Sequence, residues 1–88
     1  MSKPTVPDGW KNVQAGKAIT RTFEFQDFNA AWAFMTHVAL IASRMDHHPD
    51  WKNSYNKVSI TLTTHDAKGV TAKDIKLANA INEIVWFA

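Results

Sequence analysis

Apolar and polar residues change rhythm several times along this chain, and each change marks an element. Ile19, Phe23 and Phe25 alternate with Thr20, Thr22 and Glu24, the period of two expected of a strand with one buried face. Arg21 interrupts the apolar row, which places it at an edge or reaching solvent. A shorter strand is predicted over residues 10–13, with a turn around Ala15-Gly16-Lys17. After Asp27, whose side chain can cap free helical amides, the period becomes helical. Phe28, Ala31, Trp32, Met35, Val38, Ala39 and Ala42 recur at spacings of three and four, predicting a helix of about five turns with these residues on one face. Phe34, Ile41 and Met45 lie beside that face and widen it. Either the helix is deeply covered within its own domain, or it also meets another subunit.

Pro49 ends that helix, because it pushes His48 out of the α region and cannot continue a helix itself. Two further strands are predicted, one over residues 51–55. In the other, Val58, Ile60 and Leu62 alternate with Ser59, Thr61 and Thr63. The short link Asn56-Lys57 makes them an antiparallel hairpin. A loop over residues 64–69 leads to Thr71-Ala72-Lys73-Asp74, which has the form of a capping box. The last helix carries Ile75, Ala78, Ile81 and Val85 on one face, with Leu77, Ile84 and Phe87 alongside.

The order strand, strand, helix, strand, strand, helix predicts an α+β fold: a two-layer sandwich with a four-stranded antiparallel sheet and two main helices packed on one face. Residues 1–9, with Pro4, Pro7 and Gly9, read as an irregular N-terminal arm, and residues 10–88 as a single domain. The open edges of such a sheet invite pairing with a second chain, so a homodimer or a higher assembly is expected.

Composition narrows the function. With 88 residues, 45% of them hydrophobic and 20% charged, the chain matches one ordinary globular domain near the size where a partner subunit helps. The absence of cysteine removes disulfides, thiolate metal ligands and thiol nucleophiles. The start, Met1-Ser2-Lys3-Pro4-Thr5, leads into no signal-like apolar run, and no stretch reaches the roughly eighteen apolar residues of a membrane span. A cytoplasmic protein is therefore expected. The ten basic residues are scattered and the net charge is only +2, so direct nucleic-acid binding, which needs a basic cluster, is disfavoured.

Three of the four histidines fall in two loops: His47 and His48 after the first helix, His65 after the last strand. One turn of a hairpin between those loops can bring both to the same rim of the sheet. Histidine titrates near neutrality, so such a group can supply a proton donor and an acceptor together; the same residues can also serve as structural caps. His37 lies within the helix as a packing or surface residue. Asp46 either fixes an imidazole tautomer or ends the helix. Pro49, Trp51 and Tyr55 surround the histidines in sequence, and aromatic faces suit a flat heterocycle, with strand core the alternative for Tyr55. Zinc is disfavoured because adjacent histidines are awkward ligands for one ion and no pair stands at helical spacing. No Gly-x-Ser-x-Gly elbow is present, and Gly9, Gly16 and Gly69 are too far apart for a phosphate loop.

The segments Asp46-His47-His48-Pro49-Asp50-Trp51, Tyr55-Asn56-Lys57-Val58, Thr64-His65-Asp66 and Gly69-Val70-Thr71-Ala72-Lys73-Asp74-Ile75 together resemble the pterin-4a-carbinolamine dehydratase family. The resemblance extends back through Phe25-Gln26-Asp27-Phe28-Asn29-Ala30 and Phe34-Met35-Thr36, and covers nearly all the chain after Trp10. It implies a hydro-lyase that dehydrates a 4a-hydroxytetrahydropterin to the quinonoid dihydropterin in tetrahydrobiopterin recycling, linked to an aromatic amino acid hydroxylase and needing no cofactor or metal. It further implies that His47 and His65 are acids toward the departing hydroxyl, while His48 binds substrate and can take the proton. Asp46, Pro49, Trp51, Thr64, Asp66 and Asp74 are the substrate-binding residues expected from it. Ser43 departs from the pattern, since the family usually has a charged residue four places before the first histidine; altered rather than abolished activity is expected. The alternative is a non-catalytic dimerisation or regulatory binding module of the same fold.

Overall fold

The computed structural model describes residues 6–84. Four strands, β1 (Lys11–Val13), β2 (Ala18–Glu24), β3 (Asp50–Ser54) and β4 (Lys57–Leu62), form one antiparallel sheet in the order β1-β2-β4-β3. Two helices, α1 (Phe28–Met45) and α2 (Ala72–Asn82), complete the α+β sandwich. Alternation sets the register of the central pair: Ile19 lies opposite Leu62 and Phe23 opposite Val58. These four residues and Ile60 are buried on the helix-covered face. On the other face Thr20 bonds Thr61 and Thr22 bonds Ser59 through their hydroxyls, so a half-exposed surface is satisfied by polar cross-strand pairs.

The first helix begins where Asp27 Oδ1 accepts the Ala30 amide at 2.8 Å, as expected of an N-cap. Its buried stripe is Ala31, Phe34, Val38 and Ala42, rotated from the one predicted. Phe34 packs between Phe23 and Phe25, with ring centroids 4.7 and 4.9 Å away. That aromatic cluster draws Phe34 inward and turns Phe28 and Trp32 out, leaving them 43% and 58% exposed. In α2, Leu77, Ala78 and Ile81 are buried and Ile75 packs at the margin; Val85 and Phe87 of the predicted face lie outside the described residues.

Arg21 sits beyond the end of β1 on the inner face of a central strand, not on an edge strand. Its guanidinium lies 4.5 Å over the Phe23 ring and donates to Asn82 Oδ1 at 2.7 Å. Asn82 also accepts the Trp10 indole N–H and donates to the Asp8 carbonyl. Asp8 and Trp10, which precede β1, are thus tied to the end of α2. Gly9, at φ +84°, lies beneath Arg21, whose guanidinium would stand 2.7 Å from any Cβ placed there.

The β3–β4 hairpin turns at Tyr55-Asn56, one position earlier than predicted, since Ser54 pairs with Lys57. That register keeps Val58 and Ile60 facing inward. Tyr55 consequently takes φ 50° with its side chain in solvent. The hairpin carries the chain down the sheet and back, returning the loop after β4 to the end at which α1 stops.

Candidate functional site

The C-terminus of α1 builds the first histidine loop. Asp46 adopts a left-handed conformation, φ 52° and ψ 42°, and its amide bonds back to Ala42 and Ser43 carbonyls; the His47 amide bonds the Ala42 carbonyl at 3.1 Å. A short polar residue tolerates this conformation at a helix end. Pro49 then leads directly into β3. The second loop is closed by a reciprocal pair: the Thr64 amide donates to the Gly69 carbonyl at 2.9 Å and the Gly69 amide to the Thr64 carbonyl at 3.3 Å. His65 and Asp66 stand on this loop, exposed to solvent.

Asp74 joins the two loops. It is fully buried, and its Oδ1 lies 2.6 Å from His47 Nε2. Its Oδ2 accepts from the Thr64 hydroxyl at 2.7 Å and from the Thr71 amide at 2.8 Å. Thr64 has one hydroxyl proton and gives it to Asp74, so the 2.7 Å contact between Thr64 and Thr71 hydroxyls must be donated by Thr71. The Thr71 oxygen in turn caps the Lys73 amide, completing the capping box of α2. Each oxygen of this carboxylate therefore accepts from the protein, as a buried acid requires. Because Asp74 accepts from His47, the imidazole proton is assigned to Nε2, which leaves Nδ1 free to exchange a proton.

His47, His48 and His65 line one cavity of about 610 Å³, together with Asp46, Pro49, Thr64 and Asp66. Asp50, Thr63 and Lys73 complete its wall. Asp50 follows Pro49 directly and Lys73 sits in the first turn of α2; neither is among the expected site residues. That volume falls within the range of small-molecule sites, about 300–1,000 Å³. Among the described residues no group of three histidine, aspartate or glutamate side chains is placed to hold a metal ion, and no helix is long and apolar enough to cross a membrane.

Some expected site residues stand elsewhere. Asp74, expected to bind substrate, has no exposed surface and instead sits behind His47. Trp51 packs at the margin of the core and borders a shallow cleft with Lys52, Ser59 and Thr61, outside the histidine cavity. Its place in β3, opposite Ile60, explains this. Asp46 ends the helix; the carboxylate bonded to an imidazole is that of Asp74, not Asp46. Ser43 is exposed and is not part of the cavity wall. His37 is also exposed, facing a separate groove with Ile41 and Arg44.

Comparison with known proteins decides the family. The model of the family described as pterin 4 alpha carbinolamine dehydratase matches residues 2–84. The chain belongs to this family. Relatives named provisionally as pterin-4-alpha-carbinolamine dehydratases include one from Rhodopseudomonas palustris strain BisB18, 58% identical over 76 residues, covering 86% of this chain and 75% of the relative. Another, from Afipia carboxidovorans, is 55% identical over 76 residues, covering 86% and 76%. The crystal structure of a transcriptional coactivator/pterin dehydratase from Brucella melitensis is 52% identical, with a TM-score of 0.82 over 85% of this chain and 80% of that one. A pterin dehydratase-like protein identified as a RuBisCO assembly factor in the alpha-carboxysome shares the fold, with a TM-score of 0.73 over 84% and 86%, at 17% identity. Pterin dehydratase relatives thus match this chain across both histidine loops.

Proposed function

We propose that the protein dehydrates 4a-hydroxytetrahydropterins, with His47, His48 and His65 as its acid/base groups. The observation that carries this reading is the convergence of the three imidazoles on one cavity, with Asp74 buried behind His47. In the substrate, C4a bears both a hydroxyl and a ring nitrogen. Protonation of the hydroxyl by His47 or His65 lets the nitrogen lone pair expel water. A base, His48 in this proposal, then removes a ring proton to give the quinonoid dihydropterin. Asp74 accepts from Nε2 of the His47 ring, so the proton that His47 gives comes from Nδ1 of its imidazolium, and the ring is left as the Nε2-protonated tautomer. Thr64, Asp66 and the backbone between them are suited to the polar edge of the pterin, and Pro49 to its face.

The proposal includes cytoplasmic recycling of a pterin cofactor beside an aromatic amino acid hydroxylase, and a homodimer or homotetramer. Self-association is supported by the outward-facing pair Phe28 and Trp32, stacked with centroids 6.3 Å apart, since large exposed apolar groups mark contact surfaces. The test of function is to generate the hydroxylated pterin in situ with such a hydroxylase and follow its dehydration optically. The reading predicts a rate well above the spontaneous one. A rate equal to the spontaneous one would leave this member of the family as a binding module.

A further inference from the structure

The loop bearing His65 has a second cavity on its other side. About 630 Å³ of space is lined by Asn12, Ala15, Gly16 and Lys17 from the β1–β2 connection and by Lys68, Gly69 and Val70 from the loop's far end. Its charge is of one sign. The loop's carboxylate, Asp66, lines the histidine cavity instead, and Lys17 and Lys68 are in no ion pair among the described residues. At Gly16 and Gly69 a side chain would meet only open space, so bare backbone borders the cavity and lets a ligand approach closely. Gly16 needs its φ of +83° for this turn, and Lys68 is left-handed at φ 56°. The two walls are joined, because the Thr63 hydroxyl donates to the Lys17 carbonyl at 2.7 Å.

We propose that this cavity binds a phosphate-type anion, either free or carried on a small organic molecule. Two ammonium groups without a carboxylate suit a compact multivalent anion, and lysine binds phosphate as a point charge. A phosphate carried on the 6-substituent of a reduced pterin and free phosphate share this chemistry. Binding of inorganic phosphate here is tested apart from the proposed dehydration, because the cavity uses none of the histidines; only the pterin-borne source rests on that reading.

The experiment is an amide NMR titration of the full chain with inorganic phosphate, against sodium chloride at matched ionic strength. Saturable shifts centred on Gly16, Lys17, Lys68 and Gly69 are expected. In the K17Q/K68Q variant, whose exposed positions leave the core intact, binding should weaken about tenfold, since two exposed charge contacts together contribute about 1.4 kcal/mol. Shifts that do not saturate, that sodium chloride reproduces, or that persist unchanged in K17Q/K68Q would overturn the proposal. A reduced pterin whose 6-substituent ends in a phosphate ester distinguishes the sources. If it shifts these amides and those of His47 and His65 with one Kd, the anion belongs to the pterin; if it shifts only the histidine loops, the anion binds free.

Discussion

His47 Nε2 and Asp74 Oδ1 meet at 2.6 Å although 27 positions separate them in the chain. The contact joins the C-terminus of one helix to the N-terminus of the other and fixes the ring on which the proposed chemistry turns. Asp74→Asn keeps the shape of the buried side chain but removes its charge and half its acceptors. It is expected to lower kcat by about 10²–10⁴-fold with little change in KM, up to the loss seen when the carboxylate that orients an acid/base histidine becomes an amide. Nitrogen NMR of His47 should show the Nε2-protonated tautomer in the parent and a mixture in the variant. A KM-only effect with an unchanged tautomer would contradict the orienting role.

Thr64 supplies the other side-chain donor to Asp74. Thr64→Val removes it at nearly constant volume and leaves a buried carboxylate oxygen short of a partner. Urea denaturation should show a loss of about 1–3 kcal/mol. A loss below about 0.5 kcal/mol, within the range of ordinary surface changes, would show the bond to be dispensable.

Tyr55 stands at the tip of the β3–β4 hairpin with φ 50° and 65% of its surface exposed. A left-handed conformation costs a side-chain-bearing residue roughly 1–2 kcal/mol, while glycine gives back about 0.5–1 kcal/mol in unfolded-chain entropy. Tyr55→Gly is therefore expected to raise stability by about 0.5–1 kcal/mol without affecting dehydration. Chemical denaturation checks the sign, and a destabilised variant would mean that the ring makes a contact worth more than the strain.

Trp32 projects from α1 with more than half its surface open. Trp32→Glu places a charge on that face, and if the face joins subunits the mass in solution should fall while the far-ultraviolet dichroism stays the same. Sedimentation at equal protein concentration reads this directly. An unchanged mass would place any subunit contact elsewhere, with the open edges β1 and β3 the next surfaces to alter.

Alternation was enough to read the sheet, because Ile19, Phe23, Val58, Ile60 and Leu62 carry their burial in a simple period of two. The caps at Asp27 and Thr71 were also legible, since each is decided by residues within three or four positions. The rotation of α1 was not, because Phe34, Trp32 and Met35 are all apolar; only the tertiary cluster with Phe23 and Phe25 distinguishes them. The same holds at the site. Local sequence located the histidine loops, but it gave Asp74 a capping box, to which the family resemblance added a substrate-binding role, and it placed Trp51 near the histidines along the chain. The bond from Asp74 to His47 exists only once two helix ends meet, and Trp51 is carried off by the strand that follows Pro49.

The central claim is most directly tested by the dehydration rate of in situ-generated 4a-hydroxytetrahydropterin with the parent protein, His47→Ala and His65→Ala at equal folded concentration. Positioned acid or base groups contribute about 10²–10⁴ in rate, so each variant should fall by that factor toward the spontaneous rate. Rates in both variants equal to that of the parent would contradict the proposal that these imidazoles carry the reaction.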